Sequence, residues 1–280
     1  MQGQNNIEEL HAADMTIVKE VIHICDQYGL LYYMLGGTML GAIRHKGFIP
    51  WDDDIDLGMP RKDYETFLRI APEKLSKTLK VVNYKTDKDY HYYITRIQDV
   101  ETKVVETRYE HEGEYTHASI DIFPLDGTPN NRFIRKMYCA RLMMHRAMMS
   151  LHYKNGIDPD RKRGIMERLI LGVLKLLPTD TMFNAYHQKE NIDKLLKKYD
   201  MQTSEFTGNM MGAYRTRELV PTAWYGCDTF YTFEDIQLRG FYEYDKYLTH
   251  LYGDYMKIPP VELRKMHFKI IEIHGKKVQG

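Results

Sequence analysis

Four aspartates, Asp52, Asp53, Asp54 and Asp56, stand within five consecutive positions of this chain. Like charges this close repel one another unless a cation neutralises them. Residues two apart in a strand point to the same side. A strand over residues 52–57 would therefore place Asp52, Asp54 and Asp56 on one face and direct Asp53 away. Carboxylate oxygens suit Mg²⁺ or Mn²⁺, and Mg²⁺ is usually held by one or two carboxylates together with substrate phosphates. The spacing predicts a metal site for phosphate chemistry.

A later segment offers a third carboxylate. In residues 118–123, Ile120 and Ile122 alternate with Ser119 and Asp121, which is typical of a half-buried strand. If this strand lies beside Asp54 and Asp56, Asp121 could bind the same metal or take a proton from an attacking hydroxyl. We therefore expect Asp54, Asp56 and Asp121 to form the catalytic and metal-binding set.

The surrounding residues favour a metal site over an acidic surface loop or a structural Ca²⁺ site. Ile55 and Leu57 alternate with the acids, so one side of the segment is expected to be buried. Pro50 and Trp51 are unusual in a merely solvated loop. A calcium loop of the EF-hand type would need a glycine at its sixth position and a terminal Glu, and the sequence has neither.

A glycine turn precedes the aspartates. Gly36, Gly37 and Thr38 stand between a strand-like and a helical segment, where backbone N–H groups can approach a phosphate and a helix N-terminus favours its charge. The nearby cations Arg44, His45 and Lys46 could bind a diphosphate. Arg44 could equally pair with an aspartate, and the two roles are compatible.

The elements that must position these residues can be predicted from hydrophobic periodicity. Helices are expected at residues 7–28, 39–44, 61–75, 132–153, 164–177, 181–199 and 242–251, and extended segments at 30–35, 52–57, 79–84, 92–98, 103–106, 118–123, 206–214 and 228–237. This order predicts an α/β or α+β fold. Composition divides the chain into a catalytic core at 1–129, a basic helical insertion at 130–205 and a segment at 206–280 that completes the catalytic unit.

Charge and cysteine content exclude some functions. The 280 residues contain 39 Lys and Arg and 39 Asp and Glu, so nothing suggests a nucleic-acid-binding protein. Three widely spaced cysteines form no disulfide framework, which fits a reducing compartment. The first residues lack the features of a signal peptide, and the most apolar window, 165–177, is too short to span a bilayer. The expected location is the cytoplasm.

Four segments carry a resemblance to a known family. GGTMLGAIRHKGFIPWDDDIDLGMPRKDYETF resembles the signature of the LicD phosphotransferases, which are related to the fukutin and fukutin-related proteins. YYITRIQDVETKVVE, SIDIFPLDG and YDKYLTHLYGDYMKIPPVELRKMH are similar to further parts of the family pattern. The resemblance implies a nucleotidyltransferase-like mixed sheet with flanking helices and a helical insertion. In such a core Gly36, Gly37 and Thr38 match the Gly-Gly-Ser/Thr turn, Asp54 and Asp56 the paired carboxylates, and Asp121 the third.

The resemblance also implies a reaction. Family members transfer a substituted phosphate, often phosphocholine, from a CDP-activated donor to a sugar hydroxyl, and relatives transfer ribitol or glycerol phosphate. Their acceptors are surface glycans such as teichoic acid precursors, capsule or lipopolysaccharide. Two other enzyme classes stay open, a nucleotidyltransferase and a DxD-type glycosyltransferase. A binding protein that has lost catalysis is disfavoured by the presence of all three carboxylates.

The C-terminal part leaves roles open. A proline that the family pattern places before Tyr244-Asp245 is absent here. Arg264 and His267 would share a face of a helix entered through two prolines, but no role follows, and His267 as an ordinary surface residue is equally consistent. The tyrosine-rich stretches 231–233 and 241–247 could form a cage for a quaternary ammonium group, although packed tyrosines explain them better.

The basic segment has two interpretations. Residues 132–168 contain ten Arg or Lys and three acids. Such a surface could contact anionic lipid headgroups at the inner face of the membrane, where a lipid-linked acceptor would be found. It could also be an amphipathic core helix or a dimer contact.

Overall fold

A computed structural model describes residues 2–106, 115–153, 184–226, 228–264, 268–273 and 276–277. In chain order the helices are α1 (Gln2–Tyr28), α2 (Gly36–Arg44), α3 (Arg61–Lys74), α4 (Arg132–His152), α5 (Ala185–Leu196) and α6 (Tyr244–Tyr252). The strands are β1 (Tyr33–Met34), β2 (Asp56–Pro60), β3 (Leu79–Val82), β4 (Thr95–Glu106), β5 (Thr116–Gly127), β6 (Phe206–Gly208), β7 (Val220–Pro221), β8 (Phe230–Phe233), β9 (Ile236–Arg239), β10 (Phe268–Ile273) and β11 (Lys276–Lys277).

Nine of these strands form one mixed sheet. Its central order is β1-β2-β5-β4-β10-β11, with β3 also paired to β4 and β6 linking the end of β5 to β7. β2 and β5 run parallel, whereas β4 is antiparallel to β5. β8 and β9 form a separate hairpin. The α+β fold with a mixed sheet and flanking helices is confirmed.

The main core lies between the sheet and helices α1, α2, α3 and α6. In α1, Ile17, Val21 and Cys25 are buried at helical spacing, whereas Tyr28 at the end of the helix is exposed. Gly29 has φ +64°, a left-handed conformation that suits glycine just after a helix. A second cluster joins α4 and α5 through Tyr138, Leu142, Ile192 and their neighbours.

Several predicted boundaries were wrong. The strand predicted at 30–35 is only Tyr33–Met34, and the one predicted at 52–57 begins at Asp56. The segments at 92–98 and 103–106 belong to one strand, β4, which has an irregularity between Asp99 and Lys103. The expected extended segment 206–214 contains the three-residue β6. The predicted helix at 164–177 and the start of the one at 181–199 lie outside the described residues, as does Cys227.

The predicted C-terminal helix carrying Arg264 and His267 was also wrong. Val261–Leu263 is a single 3₁₀ turn, and Arg264 follows it in extended conformation. Proline at the start of a turn sets φ but supplies no further helical hydrogen bonds, and β10 begins a few residues later. His267 lies outside the described residues. Within the described ranges, no helix is both long enough and apolar enough to cross a bilayer.

Candidate active site

A cleft of about 250 Å³ opens beside the N-terminus of α2. Its first wall is formed by the glycine turn and the aspartates, and its second by the loop before β7 and the end of α6. The lining residues are Leu35, Gly36, Gly37, Leu40, Ile49, Asp52, Asp54, Asp56, Phe123, Asn209, Gly212, Ala213, Tyr214, Glu218 and Tyr252. Four of the eight predicted site residues, Gly36, Gly37, Asp54 and Asp56, line the cleft. The other four, Thr38, Arg44, His45 and Asp121, do not.

The glycine turn is the first turn of α2, which begins three residues earlier than predicted. Gly36 has φ +47°, and its N–H donates to the Tyr247 hydroxyl at 2.9 Å. A Cβ on Gly37 would collide with the carboxylate of Asp52, so that carboxylate lies directly against the helix N-terminus. The Thr38 hydroxyl accepts from the Asp56 N–H at 2.8 Å and thus fixes the helix to the start of β2.

The aspartate segment is irregular up to Ile55, so strand alternation does not govern it. Asp52, Asp54 and Asp56 do face the cleft together. Asp53 is buried and does not line the cleft, yet one of its oxygens lies within 4.8 Å of oxygens of both Asp52 and Asp54. The prediction that Asp53 is directed away from the other acids was therefore wrong, because the strand begins only at Asp56.

Three side chains form a row across β2, β5 and β4. Asp56 is in register with Asp121 on the parallel strand, and Asp121 is in register with Arg96 on the antiparallel strand. Arg96 Nε donates to Asp121 Oδ1 at 2.9 Å, and both side chains are largely buried. The expected proximity of Asp121 to Asp56 is thus present. Arg96 was missed, although it is the one cation in the run 92–98 that the family resemblance already included.

Burial and crowding dominate the electrostatics. Burial, followed by the carboxylates of Asp52 and Asp121, raises the pKa of Asp54 well above its usual range. Burial and the carboxylates of Asp54 and Asp121 do the same to the pKa of Asp56. A divalent cation would remove this repulsion, and oxygen-only ligands fit Mg²⁺ or Mn²⁺. The described acids whose oxygens all lie within 4.8 Å of one another are Asp52, Asp53 and Asp54, so of the predicted metal-binding set only Asp54 belongs to this group.

Helix α1 contributes two further groups to this region. His11 Nε2 lies 2.7 Å from the Asp52 carbonyl oxygen, and its ring stacks on Phe48. Asp14 is fully buried, and neither of its carboxyl oxygens has a hydrogen-bond partner among the described residues. Burial, and then the carboxylates of Asp54 and Asp53, raise the pKa of Asp14 well above its usual range.

Replacing Asp14 by Asn is expected to weaken the dependence of stability on pH. An acid with a raised pKa in the folded state binds more protons there than in the unfolded chain, so folding stability falls as pH rises above the unfolded value of about 4. The asparagine does not titrate. Thermal unfolding between pH 5 and pH 8 should show a smaller fall of Tm for Asp14→Asn than for the wild type. Asp26→Asn, exposed on the same helix, is the control and should follow the wild type.

Two of the predicted cations, Arg44 and His45, lie around Trp51 and outside the cleft. Arg44 donates to the Tyr255 carbonyl at 2.8 Å and lies 6.0 Å from the centre of the Trp51 ring. The His45 ring contacts Trp51 edge-on, and burial lowers its pKa. Arg264 lies 4.4 Å from the same ring and donates to the Pro259 carbonyl. This arrangement gives Arg264 a packing role that the sequence did not reveal.

The second wall was not predicted as part of the site. Glu218 is buried and accepts from the Tyr214 N–H, and Tyr214 and Tyr252 meet at 5.6 Å with perpendicular rings. Burial raises the pKa of Glu218 to about 8. The tyrosines of the stretches 231–233 and 241–247 were expected either to form a cage or to be packed, and the contacts support packing. Tyr247 stacks on Phe241 within the core, and Tyr231 donates to the Phe241 carbonyl. The signal in the sequence that could have indicated a loop at this wall is Gly212, since glycine is common in loops.

Comparison with known proteins shows which families the sequence is similar to. Residues 29–161 match the family described as LicD/FKTN/FKRP, nucleotidyltransferase domain. The chain is 29% identical over 250 residues to the lipopolysaccharide cholinephosphotransferase LicD of Haemophilus influenzae. The aligned region covers 87% of this chain and 89% of that protein. It is 44% identical over 43 residues to the ribitol 5-phosphate transferase FKRP of Homo sapiens and of Mus musculus, covering 15% of this chain and 9% of theirs. Residues 29–161 of this chain are therefore a LicD-family nucleotidyltransferase domain.

Proposed function

We propose that this protein transfers phosphocholine from a CDP-activated donor to a hydroxyl group of a cell-surface glycan or its precursor. The observation that carries the proposal is the cleft in which the carboxylates of Asp52, Asp54 and Asp56 face the N-terminus of α2. Phosphoryl transfer requires mainly positioning and neutralisation of charge. A helix N-terminus opposite a cation site provides both. The name of the Haemophilus relative supports choline as the transferred group.

Asp54 and Asp56 are the residues that we expect to hold Mg²⁺ or Mn²⁺, with Asp121 beside them. When bound, the metal supplies charge neutralisation for the donor diphosphate and its leaving group. The crowded carboxylates support this assignment, because burial and then the neighbouring carboxylates raise the pKa of both Asp54 and Asp56, and Arg96 offsets this only for Asp54.

The chain's own groups would then act as follows. The N-terminus of α2, which lines the cleft at Gly37, would hold phosphate oxygens through its N–H groups. The acceptor hydroxyl oxygen would attack phosphorus, its proton would pass to Asp121, and the bond from phosphorus to the CMP oxygen would break so that CMP leaves. The hydrogen bond from Arg96 holds Asp121 in one orientation for this transfer. Asp121 does not line the cleft itself, but it is in register with Asp56, which does. Arg44 and His45 lie beside Trp51 and would assist only from the margin.

The second wall favours a cationic group over ribitol or glycerol phosphate. Perpendicular aromatic rings beside a carboxylate are a suitable surface for a quaternary ammonium group. Tyr214, Tyr252 and Glu218 provide both features at the cleft. A cation beside Glu218 would also favour its ionised form. Transfer of glycerol or ribitol phosphate by the same mechanism is the second candidate, and the similarity to FKRP favours it.

The test is calorimetric binding of CDP-choline, CDP-ribitol and CDP-glycerol at pH 8.5, with Mg²⁺ and then with EDTA. We expect binding of CDP-choline that requires the metal. Glu218→Gln should weaken CDP-choline binding roughly tenfold, about 1.4 kcal/mol, while Glu205→Gln, exposed outside the cleft, should change nothing.

Other outcomes would redirect the assignment. Tighter binding of CDP-ribitol or CDP-glycerol would replace choline by that group. Binding of a nucleoside triphosphate or a UDP-sugar, with no binding of any CDP donor, would contradict the proposal and favour a nucleotidyltransferase or a DxD-type glycosyltransferase.

A further inference from the structure

Helix α4 carries a stripe of exposed apolar side chains. Phe133, Met137 and Met144 are 70%, 60% and 46% exposed, and Ile134 beside them is 50% exposed. With the exposed Ala140 and Ala147 they recur every three or four residues, so they share one face of the helix. The opposite face is buried through Tyr138 and Leu142, which pack in the second core cluster. The stripe is therefore not part of that core.

The charges beside the stripe all have one sign. Arg132, Lys136 and Arg141 are exposed, and Arg135 and Arg146 are partly buried on the same helix. The helix contains no Asp or Glu. An apolar face flanked only by Lys and Arg is the pattern of a helix that lies in the interface of an anionic membrane. Two copies of this chain facing each other through α4 would bring ten basic residues together, which disfavours a dimer contact.

The same helix also touches the cleft wall. Arg146 donates to the Met210 carbonyl at 3.0 Å, and the adjacent Asn209 lines the cleft. Arg146 belongs to the buried face of α4, one turn after Leu142, so the stripe lies on the side of the helix that faces away from this wall.

We propose that the stripe of α4 docks this protein on a membrane surface that contains anionic lipid headgroups. The apolar side chains insert at the level of the headgroups, and Arg132, Lys136 and Arg141 contact the anionic lipids. This inference rests on α4 alone and does not depend on which phosphate group is transferred.

Co-sedimentation of the full chain with vesicles tests the proposal. We expect binding at 0.15 M NaCl to vesicles of phosphatidylcholine with 30% phosphatidylglycerol, and much less to pure phosphatidylcholine. Phe133→Ser/Met137→Ser should lower the affinity at least about tenfold, because two large apolar side chains no longer insert. Arg132→Gln/Lys136→Gln should lower it about fivefold for each charge removed. Both changes are at exposed positions, and thermal unfolding should confirm that the fold is kept.

Matched controls are Met256→Ser, also exposed and apolar, and Lys246→Gln, whose side chain is exposed in a pair with Glu243. Both should bind vesicles like the wild type. Wild-type protein that stays in the supernatant with anionic vesicles, or α4 variants that bind as well as the wild type, would overturn the proposal. Sedimentation velocity that shows a wild-type dimer lost in Phe133→Ser/Met137→Ser would assign the stripe to a second copy of the chain instead.

Discussion

Replacing Asp56 by Asn should reduce transfer by at least about 10³-fold while increasing the thermal stability of the metal-free protein. Loss of one strong electrostatic contact at a reacting phosphate commonly costs 10²–10³ in rate, and here a proposed metal ligand is lost as well. The gain in stability has a separate cause. Asp56 is in register with Asp121, and burial with neighbouring carboxylates raises its pKa, so its ionised form opposes folding at neutral pH.

Release of CMP from CDP-choline in the presence of acceptor and Mg²⁺ measures the first effect, and unfolding in EDTA measures the second. Asp235→Asn is the control, because Asp235 is an exposed aspartate paired with Lys19 far from the cleft. It should keep both activity and Tm. Full activity of Asp56→Asn would refute the role of this carboxylate, and a large fall in Tm would show that activity was lost through misfolding.

Arg96→Met is expected to give the second largest effect, and in the opposite direction for stability. Removing one partner of a buried ion pair leaves an uncompensated charge, at a cost of about 3–5 kcal/mol. Asp121 would then face Asp56 without the 2.9 Å contact from Arg96 that now balances it. Transfer should fall about 10²-fold because Asp121 is no longer held in place, and Tm should fall by about 10 °C at neutral pH.

The matched control is Arg239→Met, which breaks a pair with an exposed partner, Asp228, and should cost at most about 1 kcal/mol. The double variant Arg96→Met/Asp121→Asn distinguishes charge from packing. It should recover much of the lost Tm and none of the lost activity. If the double variant is no more stable than Arg96→Met, the stabilising effect of Arg96 comes from its contact with the Tyr92 ring and not from the ion pair.

Local patterns predicted the first wall of the cleft well. Alternation around Asp121, the spacing of the aspartates and the turn at Gly36 each depend on a few neighbouring residues, and the structure brings these segments together on β5, β2 and α2. The prediction that Asp52, Asp54 and Asp56 share a face was right, but the reason given for it was not. An irregular segment, and not the pleating of a strand, places them there.

The second wall depends on contacts that no local pattern encodes. The loop before Glu218 contains no sequence pattern that indicates a site, and only tertiary folding places Glu218 in the same cleft as Asp56. Arg96 is recognisable as a partner of Asp121 only when the register of β4 on β5 is known. For Arg264, helical spacing after two prolines suggested a face shared with His267, but the 3₁₀ turn ends at Leu263 and Arg264 is extended. For Glu218 and Arg96 the deciding contacts join distant parts of the chain, and local patterns do not reveal them.

The hydrogen bond from Gly36 to Tyr247 joins residues 211 positions apart. During synthesis the glycine turn and the aspartates of the cleft are therefore made long before α6, the helix whose Tyr247 contacts the turn. Domains tend to fold as their residues emerge, yet this turn acquires its hydroxyl partner, and the cleft the Tyr252 side of its second wall, only when α6 is made. A product that stops before Tyr244 would contain the acidic cluster without a finished binding site. Prematurely terminated chains should therefore neither bind nor consume the activated donor, and activity should arise in one late step.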